Sequence, residues 1–497
     1  MTPTERELKL TAAAAFRMPS LDGLADGVCV GPPEAERLWT TYFDTDDLRL
    51  ARWGMSLRHR PGHGWTVKLP STGNGPVLAR PEITLTGNGG TPPPAIVDLV
   101  TAIVRSDELH VQARLDTLRR RIALYDAAGA IVADVVDDEV SVLEGQQPAA
   151  TFRELEVELS DATPADLVDA LLVKLRQAGA DPSDPTPKYI RSLGQRAPST
   201  AEIIVPKLRG QATSGDVVRG AIAASVVRLI EHDPVMRLDE DAEGVHQARV
   251  ATRRLRSDLR TFGSLVEPVW ASALRDELGW LARILGEVRD GDVQLERMRR
   301  TAAGLPVSSR DGAEYVIATF ADQREEAHAA LLSTLRNERY VEILDRLVSA
   351  ANAPHLAGDA ELPARETLPA LVRAPWRVLE KRVQALGKEP ADDALHDIRV
   401  RTKRVRYAAE AVAPIIGKCA RRFAAAAADL QEVLGDFNDA VVAEAWLSDW
   451  AHGSGSPMAA FAAGELAALE HIAAQEGREH WKKAWTRLAA PKLRSWM

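Results

Sequence analysis

The hydrophobic period of this chain changes once, and that change restricts what it can fold into. Up to about residue 160, apolar and polar residues alternate in short runs, separated by turn-rich stretches such as 71–76 and 87–94. From about 215 onward, long segments rich in alanine, leucine and arginine follow helical spacing, broken by loops such as 353–363 and 452–457. Side chains two apart share a face of a strand, and those three or four apart share a face of a helix, so one period cannot serve both. The expectation is an α+β chain of two domains: a strand domain over 1–200, a linker over 201–212 and a helical domain over 213–497. A proline-rich turn at 181–187 precedes the linker.

Length and composition agree with this division. At roughly 150 residues per domain, 497 residues call for more than one core. The balance of 45% hydrophobic and 27% charged residues is that of a globular chain. No apolar run approaches the roughly 20 residues that span a bilayer. The start MTPTERELKL places acids where a signal peptide carries bases, so a cytoplasmic location without membrane attachment is expected. Two distant cysteines, Cys29 and Cys419, support neither a disulfide framework nor a thiolate zinc site. A net charge of -9 argues against nucleic acid as the main partner, though not against local basic grooves.

In the strand half the charges fall on one face. Glu5, Glu7 and Lys9 alternate with Arg6, Leu8 and Leu10, and Glu154, Glu156 and Glu158 alternate with Leu155, Val157 and Leu159. The same spacing holds for Arg58 and Arg60, Thr66 and Lys68, Arg80 and Glu82, and Arg119 and Arg121. One such strand is the wet side of an ordinary sheet; repeated over most strands of a closed sheet, the pattern lines a basic lumen with a carboxylate cluster, suited to a highly anionic ligand and a metal.

Glu-x-Glu-x-Lys at the start, Tyr42-Phe43-Asp44-Thr45, Ser56-Leu57-Arg58-His59-Arg60 and Glu-Leu-Glu-Val-Glu resemble the CYTH superfamily of triphosphate tunnel metalloenzymes, over about residues 1–200. That resemblance implies an antiparallel β-barrel tunnel with flanking helices. It also implies phosphate contacts from Lys9, Arg58, Arg60, Lys68, Arg80, Arg114, Arg119 and Arg121. Glu5, Glu7, Glu154, Glu156 and Glu158 would hold Mg²⁺ or Mn²⁺, with Asp134, Asp137 or Asp138 as further candidates, and Glu5, Glu7 and Lys9 would form the catalytic signature. Lys188 resembles the basic residue that the family's C-terminal helix aims into the tunnel. Asp116 departs from the basic or small residue expected beside Arg119.

The helical half is internally duplicated. VHQARVATRRLR at 245–256 recurs as LHDIRVRTKRVR at 395–406, and LGEVRD at 285–290 as LGDFND at 434–439. His246, Arg249, Arg253, Arg256 and Arg260 form one helical stripe, repeated by His396, Arg399, Lys403 and Arg406. Stacked like charges destabilise a helix unless an anion or acidic partner offsets them. No HxxxH or HxH pair occurs in this half, so phosphate contact is favoured over a metal. Trp280, Trp376, Trp446 and Trp485 read as packing residues.

The pattern resembles the CHAD domain, a bundle of two four-helix repeats associated with polyphosphate. It implies contacts from His246, Arg249, Arg253, Arg254 and Arg256, and from His396, Arg399, Lys403, Arg404 and Arg406. The expected function is a metal-dependent triphosphatase acting on inorganic triphosphate or a related small triphosphate, tethered to a polyphosphate-binding bundle and so to polyphosphate granules. The alternatives are a non-catalytic polyphosphate-binding protein and an adenylate cyclase. Substrate identity and oligomeric state are not legible.

Overall fold

The structure is a computed structural model that describes residues 4–70, 78–181 and 186–497, without the side chains of Thr4, Glu5 and Leu78. The turn expected over 71–76 lies outside the described residues, as does most of that over 181–187. The chain divides into two compact units, Met1–Glu202 and Ile203–Met497. The first is built on a sheet and the second from helices, an α+β arrangement.

The strands are β1 (Thr4–Ala12), β2 (Cys29–Val30), β3 (Glu34–Asp44), β4 (Ser56–Arg60), β5 (Gly64–Lys68), β6 (Leu78–Leu85), β7 (His110–Tyr125), β8 (Ile131–Glu144), β9 (Gln147–Leu159) and β10 (Ala180–Asp181). All pairings are antiparallel. They run β1-β6-β5-β4-β3-β7-β8-β9 and return to β1, closing an eight-stranded barrel, while β2 and β10 extend β7 and β1. Strand β1 closes the ring by pairing with β6 through residues 4–7 and with β9 through residues 6–12. Closure removes the free edges and separates an inside from an outside.

Alternation then decides what lies where. Leu8, Leu10, Val135, Leu155 and Val157 face out and are covered by α3 (Ala165–Gln177) through Leu167, Leu171 and Leu175. Burying each leucine of that stripe contributes roughly 1.5–3 kcal/mol. The opposite face of the same strands turns inward. Along β7 the inward positions run Ala113, Leu115, Thr117, Arg119, Arg121, from apolar to basic. The apolar end is filled by α4 (Lys188–Leu193), whose Tyr189 and Leu193 pack against Tyr42, Ala113, Leu115 and Val140. Two further short helices, α1 (Arg49–Arg52) and α2 (Pro94–Val104), pack on the barrel.

The second unit is a bundle of two four-helix repeats. One comprises α5 (Ser214–Glu231), α7 (Glu243–Thr261), α8 (Pro268–Ala302) and α9 (Val307–Leu335), with α6 (Asp233–Leu238) and α10 (Glu338–Asn352) as additions. The other comprises α11 (Ala364–Gln384), α12 (Asp392–Ile416), α13 (Lys418–Gly453) and α14 (Pro457–Leu488), ending in α15 (Pro491–Arg494). The duplicated ladders fall on α7 and α12, which pack against each other, and the second blocks fall on α8 and α13. The matched threonines are buried. Thr252 and Thr402 donate to the carbonyls of Ala248 and Ile398, at 3.0 and 2.8 Å, so the hydroxyl is satisfied within its own helix. Among the described residues, no helix is long and apolar enough to cross a membrane.

Candidate functional site

The inner face of the barrel is organised by the Tyr42-Phe43-Asp44-Thr45 segment. Asp44 is buried, and its carboxylate accepts from the backbone N–H of Leu50 (2.8 Å) and Ala51 (3.0 Å), fastening α1. It also accepts from the Tyr189 hydroxyl at 2.9 Å, while the Tyr42 and Tyr189 rings stack at 4.9 Å. Burial and the neighbouring carboxylate push the Tyr189 hydroxyl far above its ordinary pKa, so it stays a donor. The first residue of the helix so anchored is Lys188, which is thereby carried into the lumen.

There the ammonium of Lys188 lies 2.7 Å from Asp138, 2.8 Å from Glu156 and 3.3 Å from Glu154. Lys9 meets the same carboxylates from β1, at 2.7 Å from Glu156, 3.4 Å from Glu7 and 3.5 Å from Glu154. Its partner across the ladder is Glu156 itself. Arg119 grips Asp138 through two bonds, of 2.8 and 3.0 Å, and reaches Glu156 at 3.2 Å. Burial works against all these charges, yet the three acids facing Lys9 hold its pKa above the usual lysine range. Burial likewise opposes ionisation of Glu156, but Lys188, Lys9 and Arg119 hold it well below the ordinary carboxylate value. Glu154, with longer contacts, is lifted above the ordinary carboxylate value by burial.

The opposite wall is basic. Arg58 and Lys68 share Glu82, each at 2.9 Å, and Arg60 donates to Thr40 at 2.9 Å. Burial, then the charges of Arg58 and Arg119, lower Arg60 to about 10. The buried Nε of Arg80 has no hydrogen-bond partner among the described residues. Arg58, Arg60, Lys68, Arg80, Arg119, Lys9 and Lys188 border one cavity with Glu7, Glu156, Tyr42 and Ser56.

The other predicted residues are placed differently. Arg114 is exposed, and its even position on β7 puts it on the face opposite Arg119. Asp116 shares that outer face and pairs with Arg37, so the departure at Asp116 lies off the lumen. Asp137 also faces out, toward Arg153. Arg121, Asp134 and Glu158 gather at the open end, where Arg121 binds Asp134 at 2.7 Å and Glu158 lies 3.7 Å from Arg119. The side chain of Glu5 lies outside the described residues. Tyr42, Thr40 and Glu82 were assigned no role from sequence, although Glu82 carried the signal of alternating with Arg80.

In the bundle, a groove of about 410 Å³ lies between α7, α8, α12 and α13. His246, Arg249, Arg253, His396, Arg399 and Lys403 line it. Burial and the neighbouring Arg399, Arg253 and Arg249 lower Lys403 to about 7, and burial with Arg289 lowers His246. The buried Nε atoms of Arg253 and Arg399 have no hydrogen-bond partner among the described residues. The remaining ladder residues point elsewhere. Arg254 and Arg406 pair with Glu410, and Arg256 and Arg404 are exposed outside the groove.

The second duplicated block supplies the floor, which sequence reasoning noted without assigning it a role. The guanidinium groups of Arg249 and Arg399 lie over Gly286 and Gly435 of α8 and α13, with the nearest atoms 3.8 Å from where a Cβ would stand, an ordinary contact. Four residues on, Asp290 binds Arg249 at 2.6 Å and Asp439 lies 3.8 Å from Arg399. His396 bonds Asn438 at 2.6 Å.

Comparison with known proteins agrees with both halves. The CYTH domain model matches residues 3–190 and the CHAD domain model residues 220–448. Two Mycobacterium tuberculosis proteins, "Uncharacterized protein MT2285" of strain CDC 1551 / Oshkosh and "Uncharacterized protein Rv2226" of strain ATCC 25618 / H37Rv, are each 32% identical over 469 residues. The match covers 88% of this chain and 87% of each relative. Among solved structures, PptA from Streptomyces chartreusis is similar at 23% identity and a TM-score of 0.47, over 55% of this chain and 100% of that one. The CHAD domain from the plant Ricinus communis is similar at 26% identity and a TM-score of 0.45, over 56% of this chain and 95% of that one. The chain belongs to the proteins that join a CYTH domain to a CHAD domain.

Proposed function

We propose that the barrel hydrolyses inorganic triphosphate or a related small triphosphate and that the helical groove binds polyphosphate. The observation that carries the first reading is the enclosed cavity on which Arg58, Arg60, Lys68, Arg80 and Arg119 converge opposite buried carboxylates. Like charges crowded in a low-dielectric site depress Arg60, and phosphate oxygens would relieve that repulsion while accepting from the guanidinium forks.

The donor set fits a hard divalent cation such as Mg²⁺ or Mn²⁺. Glu7, Glu154 and Glu156 are buried oxygen donors, and Lys9 already occupies the point where they converge. Among the described residues no three acidic, histidine or cysteine side chains stand so as to hold an ion as they are placed, and Glu154 and Glu156 are paired with Lys9 and Lys188. These three glutamates would hold the cation, which neutralises phosphate charge and acidifies a bound water. Arginines position the triphosphate in line, and Lys9 and Lys188 bridge acids and phosphate oxygens.

Phosphate release from tripolyphosphate, with and without Mg²⁺ or Mn²⁺, tests the reading. Metal-dependent release that disappears in Glu7→Gln is expected. No release with polyphosphate binding retained would leave a purely binding protein, and cyclic AMP formed from ATP would reassign the tunnel.

A further inference from the structure

The basic groove does not end where its arginines end. A recess of about 240 Å³ lies beside it between α8, α9 and α13, and the two share Asp290, Gln294 and Val442 as a common wall. Its far side is apolar and aromatic. The half-buried rings of Phe320 and Trp446 meet edge to face at 4.7 Å, above the buried Met298. A chain of bare phosphates has no use for such a surface.

Gln294 stands at the junction and is 7% exposed. Its Nε2 donates to the Asp439 carbonyl at 3.1 Å, which settles the orientation of the amide, because the opposite flip would set two acceptors together. Its Oε1 is then a buried acceptor without a hydrogen-bond partner among the described residues. Burying an unmet acceptor is costly, so a ligand that supplies an N–H or O–H there recovers that cost.

We propose that the groove and recess together bind a nucleoside polyphosphate. This rests on the reading of the groove as a polyanion site. The phosphates lie along Arg253, Arg399 and Lys403, where the unmet arginine Nε donors find acceptors. The base stacks on Trp446, with the perpendicular Phe320 ring at its edge. An exocyclic amino group or ring N–H of the base donates to Gln294 Oε1. The exposed carboxylates of Glu287 and Asp290 on the recess rim suit the same donor-bearing base edge and disfavour a second anion there.

The test uses the full chain with EDTA, to suppress hydrolysis, and 8-azido-ATP as the probe. Irradiation is expected to label peptides bearing Phe320 or Trp446, and excess long-chain polyphosphate is expected to abolish that label. Gln294→Met keeps the volume and removes the acceptor. It should lower labelling affinity about tenfold, the equivalent of ~1.4 kcal/mol; Trp446→Leu, altered outside the groove, should also lower labelling and leave long-chain polyphosphate affinity within about twofold of the parent by the same scale. Arg399→Gln should weaken both ligands. Label confined to the barrel, with polyphosphate binding intact and Arg399-dependent, would overturn the nucleoside site and leave the polyanion groove standing. Loss of neither ligand in Arg399→Gln would overturn the groove itself.

Discussion

Replacing Lys188 by methionine tests the organisation of the tunnel most directly. The ammonium meets Asp138, Glu154 and Glu156 inside a lumen where all four residues are buried. Removing one side of a buried ionic network leaves uncompensated charge and costs about 3–5 kcal/mol. For a barrel unit of this size that corresponds to a fall of roughly 6–20 °C in its transition temperature. The pH dependence follows from the directions of the shifts. In the parent, Asp138 and Glu156 sit below their unfolded values, so their contribution is present above about pH 4 and is lost as pH falls through the folded values. In Lys188→Met, burial without the lysine lifts the same carboxyls, which take up protons from higher pH and regain stability on acidification. The gap between parent and variant should therefore be widest near pH 7 and narrow toward pH 4. If the acids also hold a divalent cation, millimolar Mg²⁺ should raise the variant's transition more than the parent's. Differential scanning calorimetry of both full chains at several pH values gives the answer; a gap under about 1 kcal/mol at pH 7, or one that does not change with pH, would refute the reasoning.

Three further outcomes are expected. Asp258 is buried beside Arg254, and burial lifts its carboxyl to about 8, so the native state binds a proton that the unfolded chain releases between about pH 4 and 8. Asp258→Asn should therefore stabilise the bundle by on the order of 3 kcal/mol at pH 7 and have little effect at pH 4, measured by urea unfolding. Polyphosphate affinity should rise as pH falls from 8 to 6, because Lys403, held near 7, gains charge in the groove; calorimetry should show proton uptake on binding, and Lys403→Gln should flatten the profile. Arg119→Ala should lower kcat/KM for tripolyphosphate by about 10²-fold or more, the scale of a lost charged contact to the transition state, whereas Arg114→Ala, altered on the outer face, should change it less than about twofold on that scale.

Much of this was legible in the residues because two periods are cheap to read. Alternation in β1 and β9 separated Glu7, Lys9, Glu154 and Glu156 from Leu8, Leu10, Leu155 and Val157 before any strand was paired. The recurrence of the His-Arg ladder announced a repeated helix. Arg114 was less legible. It is basic and lies near Arg119, but five residues separate them, and an odd spacing on a strand reverses the face. The ladder residues likewise divide. His246, Arg249 and Arg253 reach the groove, whereas Arg254, Arg256, Arg404 and Arg406 do not, because only a short arc of each helix faces the crossing.

The sequence by itself determined the class of each half, the alternation that separates acids from leucines in β1 and β9, and the duplication of the bundle, because these depend on spacing along one chain. Tertiary structure alone decided that the face of the sheet bearing Glu156 and Arg119 is an inside, that Asp44 and Tyr189 bring Lys188 to acids on β8 and β9, and that both ladders border one groove with Gln294. The reason is that ion pairing and enclosure act through space over a few ångström, and which distant residues come that close is settled by barrel closure and helix crossing.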